Sequence, residues 1–188
     1  MTARLASPVE IYQIKVTLRD SQPLIWRRIQ VSSDTTLAKL HRILQCVMGW
    51  EDAHLHQFVI QGQQYGLPEK DHIGPRTTKD ERQYKLGEVS PGSQFRYDYD
   101  FGDNWVHVLL VESTLPPQAA TSYPVCLAGA RACPPEDVGG IPGYEDLLEA
   151  LKDAKHPDYE EYIDWIGGDF DPEAFDVNEP NRLLRAMR

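Results

Sequence analysis

Alternation of aromatic and acidic residues in the segment 95–112 constrains the fold more than any other feature of the sequence. In FRYDYDFGDNWVHVLLVE, tyrosine and phenylalanine alternate with aspartate, which is typical of a strand with one buried and one exposed face. Gly102-Asp103 suits a two-residue turn of type II′, and residues 105–111 then form a second strand. We therefore predict a β-hairpin here.

The length of that turn decides which side chains share a face. With two residues in the turn, Asp100 faces Trp105 and Asp98 faces His107, so that the carboxylates meet the histidine. A neighbouring carboxylate favours the imidazolium form, so we expect a raised pKa for His107. The opposite, apolar face would then hold Tyr97, Tyr99, Phe101, Val106, Val108 and Leu110. A three-residue loop would instead set Tyr99 opposite His107.

The remaining periodicity predicts an α+β fold. Alternation predicts strands over 11–18, 24–31 and 54–61, with a further short strand at 85–89. Helical spacing predicts helices over 37–48, 142–154, 158–166 and 178–187, the first ending at Gly49. The polar region 63–82 is expected to form a loop, and the Gly/Pro-rich region 126–144 is expected to wrap the surface.

Charge is distributed unevenly along the chain. The net charge is -10, and residues 136–188 carry all of it, with 15 acidic and 5 basic side chains. Such a surface repels nucleic-acid backbones and anionic membranes, so direct nucleic-acid binding is not expected, whereas a basic protein partner is compatible with it. No apolar run has the length of a membrane helix, and the first residues lack the apolar stretch of a signal peptide. We expect a cytoplasmic protein with three free cysteines.

The candidate site consists of imidazole and carboxylate side chains in the hairpin and in other segments predicted to lie near it, together with one tryptophan. His54 and His56 share a face if they lie on one strand, and a His-x-His pair there supplies two metal ligands. The candidate functional cluster comprises His54, His56, Asp98, Asp100, Trp105, His107 and Asp137. A structural interpretation explains the same residues as turn acids, cross-strand pairs and hydrogen-bonded polar groups, and it predicts no cofactor and no metal.

Two further observations concern single residues. His41 lies on the apolar stripe of the helix over 37–48, and we expect a hydrogen-bonded core histidine there. Arg27 and Arg28 point to opposite faces of one strand, so we expect one of them to pair with an acid. An anion-binding role is open to this pair.

Six separate stretches resemble one protein family. They are IWRRIQV at 25–31, LAKLHRIL at 37–44, GWEDAHLHQF at 49–58, YDFGDNWVH at 99–107, CPPEDVGGIPGY at 133–144 and FDPEAFD at 170–176. In these the chain resembles the plasmid pRiA4b ORF-3-like family, which includes transposon passenger proteins labelled TnpR. The resemblance implies an α+β domain with a mixed sheet.

The periodicity and this resemblance together predict one domain over 1–188. It consists of a β-grasp-like core of sheet and covering helix at 8–115, and a wrap with a helical, acidic C-terminal appendage at 116–188. We expect a non-enzymatic protein-interaction or accessory protein linked to plasmids or mobile elements. The alternative is a metal-binding protein or metal-assisted hydrolase that uses the His/Asp cluster. A resolvase is not supported, because the serines lack a basic setting and no helix-turn-helix is evident.

Overall fold

Within the part of the chain that the structure describes, eight strands form one mixed sheet and four α-helices accompany it. The structure, a computed structural model, describes residues 9–67 and 78–187. The strands are β1 Ile11–Leu18, β2 Trp26–Ser32, β3 His56–Ile60, β4 Gln63–Gly66, β5 Lys79–Asp80, β6 Gln94–Tyr99, β7 Trp105–Leu115 and β8 Val125–Ala130. The helices are α1 Leu37–Met48, α2 Gly140–Ala150, α3 Tyr159–Ile166 and α4 Asn178–Ala186. The predicted α+β class is confirmed, and the β-grasp-like arrangement stays a prediction.

The strand order is β5-β4-β3-β6-β7-β1-β2-β8. Only β4 and β5 pair in parallel among the described strands, and the other neighbours are antiparallel. The central strands β1 and β7 are held together by residues about 100 positions apart in the chain, such as Ile11 and Leu115. The sheet is therefore complete only when both halves of the chain are present.

Helix α1 covers the sheet, as its apolar spacing predicts. Thr36 caps its first turn by accepting a hydrogen bond from the backbone N–H of Lys39, and Gly49 ends it at a φ of 95°. Its inward side chains belong to one hydrophobic cluster with the strands, and Leu184 of α4, a helix that contacts α1, also belongs to that cluster. Within the described residues, no helix has the length and apolar character needed to cross a bilayer.

Three local predictions differ from the structure. Residues 63–66 and 79–80 are strands rather than loop, although residues 68–77 lie outside the described part of the chain. The segment 86–88 is a short 3₁₀ helix instead of a strand. The start of the Gly/Pro-rich wrap supplies β8, which pairs with the edge of β2 through five registered positions. A strand needs only a few residues when an open edge is available to pair with it.

The hairpin forms, but its loop is odd in length. Tyr99 is registered with Trp105 and Tyr97 with His107, so residues 100–104 make a five-residue loop. Asp100 leaves the strand at a φ of 53°, and its Oδ1 accepts a hydrogen bond from the N–H of Gly102. The two-residue turn is therefore wrong, and so is the face it assigned to the aspartates: the tyrosines share a buried face with Trp105 and His107.

Candidate functional site

Three loops meet at one end of the sheet and bring an imidazole against three carboxylates. His54 precedes β3, Asp100 follows β6, and Glu136 and Asp137 precede α2. The Nε2 atom of His54 lies 3.1 Å from Oδ1 of Asp137, 3.6 Å from Oε2 of Glu136 and 3.8 Å from Oδ2 of Asp100. We call His54, Asp100, Glu136 and Asp137 the His54 cluster.

The hairpin loop and the start of α2 are fixed to each other. Oδ2 of Asp103 accepts a hydrogen bond of 3.0 Å from the N–H of Gly139. A Cβ at Gly140 would lie 2.4 Å from the carbonyl oxygen of Asp103, and Gly140 also has a φ of 70°. Only glycine fits both conditions. This contact holds Asp137 beside Asp100.

Hydrogen bonds orient Glu136 within the cluster. Its Oε1 accepts from the hydroxyl of Tyr99 at 3.0 Å and from the N–H of Glu51 at 2.9 Å. Burial, with the nearby Glu136 charge, raises the pKa of Tyr99, so that hydroxyl remains a donor. Trp50 stacks on the same tyrosine at a centroid distance of 4.9 Å and donates to the carbonyl of Pro134. The other carboxylate oxygen of Glu136 is the one nearer to His54.

The central nitrogen of the cluster is unsatisfied. Nε2 of His54 is buried and forms no hydrogen bond with any described residue, despite the three carboxylates around it. Asp100 and Asp137 both have left-handed backbone, at φ values of 53° and 58°. Strained backbone of this kind tends to gather at functional sites. The donor set of one imidazole nitrogen and several carboxylate oxygens is one that divalent transition metals accept.

Three of the seven residues of the predicted cluster therefore lie close together in the structure. His54, Asp100 and Asp137 have ligand atoms within 4.8 Å of one another. His56 is separated from them, because His54 lies before β3 and only His56 lies on the strand. Oε2 of the buried Glu81 is 2.8 Å from Nε2 of His56.

The other three predicted residues lie outside the His54 cluster, in contacts that stabilise the fold. Asp98 accepts a hydrogen bond from Gln57 and pairs with Arg96 at 2.8 Å. Trp105 and His107 are fully buried in the core. Nδ1 of His107 donates to the carbonyl of Tyr97, and desolvation lowers its pKa to about 4. The expected rise in this pKa is wrong, because the odd loop puts His107 opposite Tyr97 instead of a carboxylate.

A stacked pair of histidines joins α1 to β3. The rings of His41 and His56 are stacked, with centroids 3.5 Å apart and planes 3° from parallel. Nδ1 of His41 is 2.7 Å from the hydroxyl of Tyr97, and Nε2 is 2.7 Å from Oδ1 of Asp52. Desolvation, aided by His56, lowers the pKa of His41. The prediction of a hydrogen-bonded core histidine is confirmed.

Sequence reasoning missed two carboxylates. Glu136 adjoins the predicted Asp137, and its position beside the Gly139-Gly140 pair was the available signal. Glu81 lies in a region expected to be loop, and no pattern in the sequence connects it with His56, which it meets through the pairing of β4 and β5.

Comparisons with known proteins agree with one another. The family model described as plasmid pRiA4b ORF-3-like protein matches residues 10–179. The uncharacterized protein y4hQ of Sinorhizobium fredii is 35% identical over 176 residues, which cover 93% of this chain and 90% of that protein. The crystal structure of a protein of unknown function, MM3350 from Methanosarcina mazei Go1, superposes with a TM-score of 0.84 at 40% identity and covers 90% of this chain and 97% of that one. The chain belongs to the plasmid pRiA4b ORF-3-like family.

Proposed function

We propose that the protein binds a divalent transition-metal ion at the His54 cluster. The observation that carries this proposal is the convergence of three carboxylates on a buried ring nitrogen that forms no hydrogen bond within the described part of the chain. Metal–ligand bonds of about 2.0–2.2 Å, at ligand–metal–ligand angles between a right angle and the tetrahedral angle, put neighbouring ligand atoms roughly 2.8–3.6 Å apart. The distances of 3.1, 3.6 and 3.8 Å from His54 Nε2 are close to that range.

Charge supports the same proposal. Asp100 and Asp137 have carboxylate oxygens within 4.8 Å of each other, so the two groups repel, and a divalent cation between them removes most of that repulsion. Asp100 is 7% exposed, so its carboxylate has little water to screen it. Carboxylate oxygens favour hard ions and imidazole favours borderline ones, so the mixed set suits Mn²⁺, Fe²⁺ or Zn²⁺.

Access from solvent favours a site with an open coordination position. The side chain of Asp137 is 68% exposed, and it lines a cavity of about 330 Å³ with Tyr162 and Trp165 of α3. A metal ion with three or four protein ligands and an open side can hold a water molecule and lower its pKa. Metal-assisted hydrolysis is therefore the activity that such a centre would support, and the cavity is the space where a substrate would lie.

The first prediction is that chelator-treated protein binds close to one equivalent of Mn²⁺ or Zn²⁺ in isothermal titration calorimetry. Asp137→Asn should weaken that binding by at least about ten-fold, because a neutral amide replaces a charged ligand. Asp146→Asn, at an exposed acid of α2, is the matched control and should bind as the wild type does.

Two results would contradict the metal proposal. One is the absence of stoichiometric binding by the wild-type protein for either ion. The other is equal affinity in Asp137→Asn and Asp146→Asn, which would mean that the ion sits elsewhere on the acidic surface.

A protein-interaction role is a second candidate, and one observation favours it. Trp165 of α3 is 46% exposed, although tryptophan is a residue that contributes strongly to protein interfaces. It shares this short helix with Glu160, Glu161 and Asp164, so a basic partner would be complementary in charge. An accessory role beside plasmids or mobile elements is supported by the family name alone.

A further inference from the structure

The two adjacent arginines of β2 have opposite surroundings. Arg28 forms a bidentate pair with Glu112, with nitrogen–oxygen distances of 2.7 and 2.9 Å. This confirms that one of the two pairs with an acid. Arg27 points to the other face and is 2% exposed. It is therefore a buried cation whose charge needs a separate explanation.

Backbone carbonyls are the only hydrogen-bond acceptors that the described residues offer to Arg27. Its Nε donates to Val47 at 2.7 Å, and Nη1 donates to Trp26 and Ala130, each at 2.9 Å. Its Cζ lies 4.4 Å from the ring centroid of Phe175. Among the described residues, no carboxylate pairs with this guanidinium and none accepts from Nη2.

A buried guanidinium without a counter-charge is unfavourable. Moving an ion out of water is strongly unfavourable unless an opposite charge or a full set of hydrogen bonds replaces the solvent. Burial accordingly lowers the pKa of Arg27. An anionic group that accepts hydrogen bonds from Arg27 would remove this cost.

A cavity of about 530 Å³ adjoins Arg27, between the end of α1 and the start of α4. Its wall combines polar and apolar surface, and the apolar part includes Met48, Phe175 and Leu183. Cys46 also lines it, and burial raises the pKa of that thiol, which keeps it neutral. The volume falls in the range of small-molecule sites.

The rim of this cavity carries the opposite charge. Asp176 and Glu179 line it and are both exposed, whereas Arg27 is buried. A ligand that carries only negative charge would meet these carboxylates on entry. A ligand with both charges would place each one against its complement.

We propose that this cavity binds a small zwitterion with an apolar body, an amino acid in chemical class. Its carboxylate accepts hydrogen bonds from Arg27, its ammonium faces Asp176 and Glu179, and its hydrocarbon part packs against Met48 and Leu183. This site is separate from the His54 cluster and does not depend on the proposed metal.

The second prediction tests binding on the intact, chelator-treated protein by calorimetry. The probes are L-leucine and 6-aminohexanoate, which differ in the separation of their two charges. We expect saturable binding of at least one. The matched compounds are the acid without the amino group and the amine without the carboxylate. The amine should bind at least about ten-fold more weakly, because a charge-assisted hydrogen bond is lost.

Variants at the rim assign binding to this cavity without disturbing the buried arginine. Glu179→Gln should weaken binding of the zwitterion about three-fold and leave binding of the deaminated acid unchanged or stronger. Leu183→Trp should abolish binding, because the larger ring occupies the opening. Glu160→Gln on α3 is the matched control and should have no effect.

Three results would overturn this proposal. They are the absence of binding by both zwitterions, equal affinity for the zwitterion and the amine, and unchanged affinity in Leu183→Trp. Equal effects of Glu179→Gln and Glu160→Gln would likewise overturn the role of the rim carboxylates.

Discussion

His107 combines complete burial with an unsatisfied ring nitrogen. Its Nδ1 donates to the carbonyl of Tyr97, but Nε2 has no hydrogen-bond partner among the described residues. Trp50 covers it edge-on, with ring centroids 5.1 Å apart. A proton on Nε2 would introduce a charge that neither solvent nor any carboxylate of the described residues contacts, so the neutral ring is the form that fits the native state.

The third prediction concerns acid sensitivity. The pKa of His107 is ~6.5 in the unfolded chain, whereas burial lowers this pKa to about 4 in the native chain. The unfolded state thus binds more protons between these values, and the stability present above pH ~6.5 is lost as pH falls. Between pH 7 and pH 5 this residue should account for a loss of about 2 kcal/mol in the free energy of unfolding.

Urea unfolding of the wild type and of His107→Gln at these two pH values measures that loss. The variant should lose less stability on acidification, and His156→Gln, at a partly exposed histidine, should behave as the wild type. An unchanged pH dependence in His107→Gln would show that His107 is not the group responsible.

Whether the hairpin loop has an odd or an even number of residues determines which parts of the site could be predicted from the sequence. Spacing of apolar residues defines α1 and β1, because a helix and a strand each repeat over many residues. The faces of the hairpin depend on a single residue of loop length, and the Gly102-Asp103 pair favours a shorter loop than the one that Asp100 closes. His54, Asp100 and Asp137 were identifiable as polar residues beside turns. Their contact with Glu136 depends on tertiary packing that no local pattern encodes.

At the scale of elements, the packing of the hairpin loop on the start of α2 is the contact that assembles the His54 cluster. The fourth prediction is that Gly140→Ala destabilises the protein by about 3 kcal/mol or more and weakens metal binding. Its Cβ would overlap the carbonyl of Asp103 in addition to straining a positive φ.

Gly92→Ala separates these two effects. Gly92 also has a positive φ, of 78°, but a Cβ there meets nothing within 4 Å. It should cost about 1 kcal/mol, from backbone strain alone. Chemical denaturation of both variants gives the comparison, and a similar cost for the two would argue against a close approach at Asp103.

At the scale of the whole molecule, the C-terminal part completes both the sheet and the core. β8 covers the edge of β2, and Leu184 of α4 is fully buried. The fifth prediction is that a chain ending at residue 115 does not fold cooperatively, since it exposes an unpaired strand edge and part of the hydrophobic cluster. Tryptophan fluorescence during urea unfolding should show no sigmoidal transition.

Leu184→Ala in the full chain is the comparison for this truncation. It should lower stability by about 2–4 kcal/mol and retain a cooperative transition, because only one buried side chain is shortened. A cooperative transition in the truncated chain would instead support residues 8–115 as an independently stable core.

The pairing of β1 with β7 also sets a delay during synthesis on the ribosome. β1 and β2 can pair with each other early, and Ile11 then pairs with Ser32, but its second partner, on β7, is absent until residue 115 has been made. At ~5–20 residues per second, the interval from the end of β2 to that point is roughly 4–17 s. Throughout it, both edges of the nascent hairpin present unpaired backbone, since β8, the other neighbour of β2, is made later still, and a chaperone has that time in which to bind.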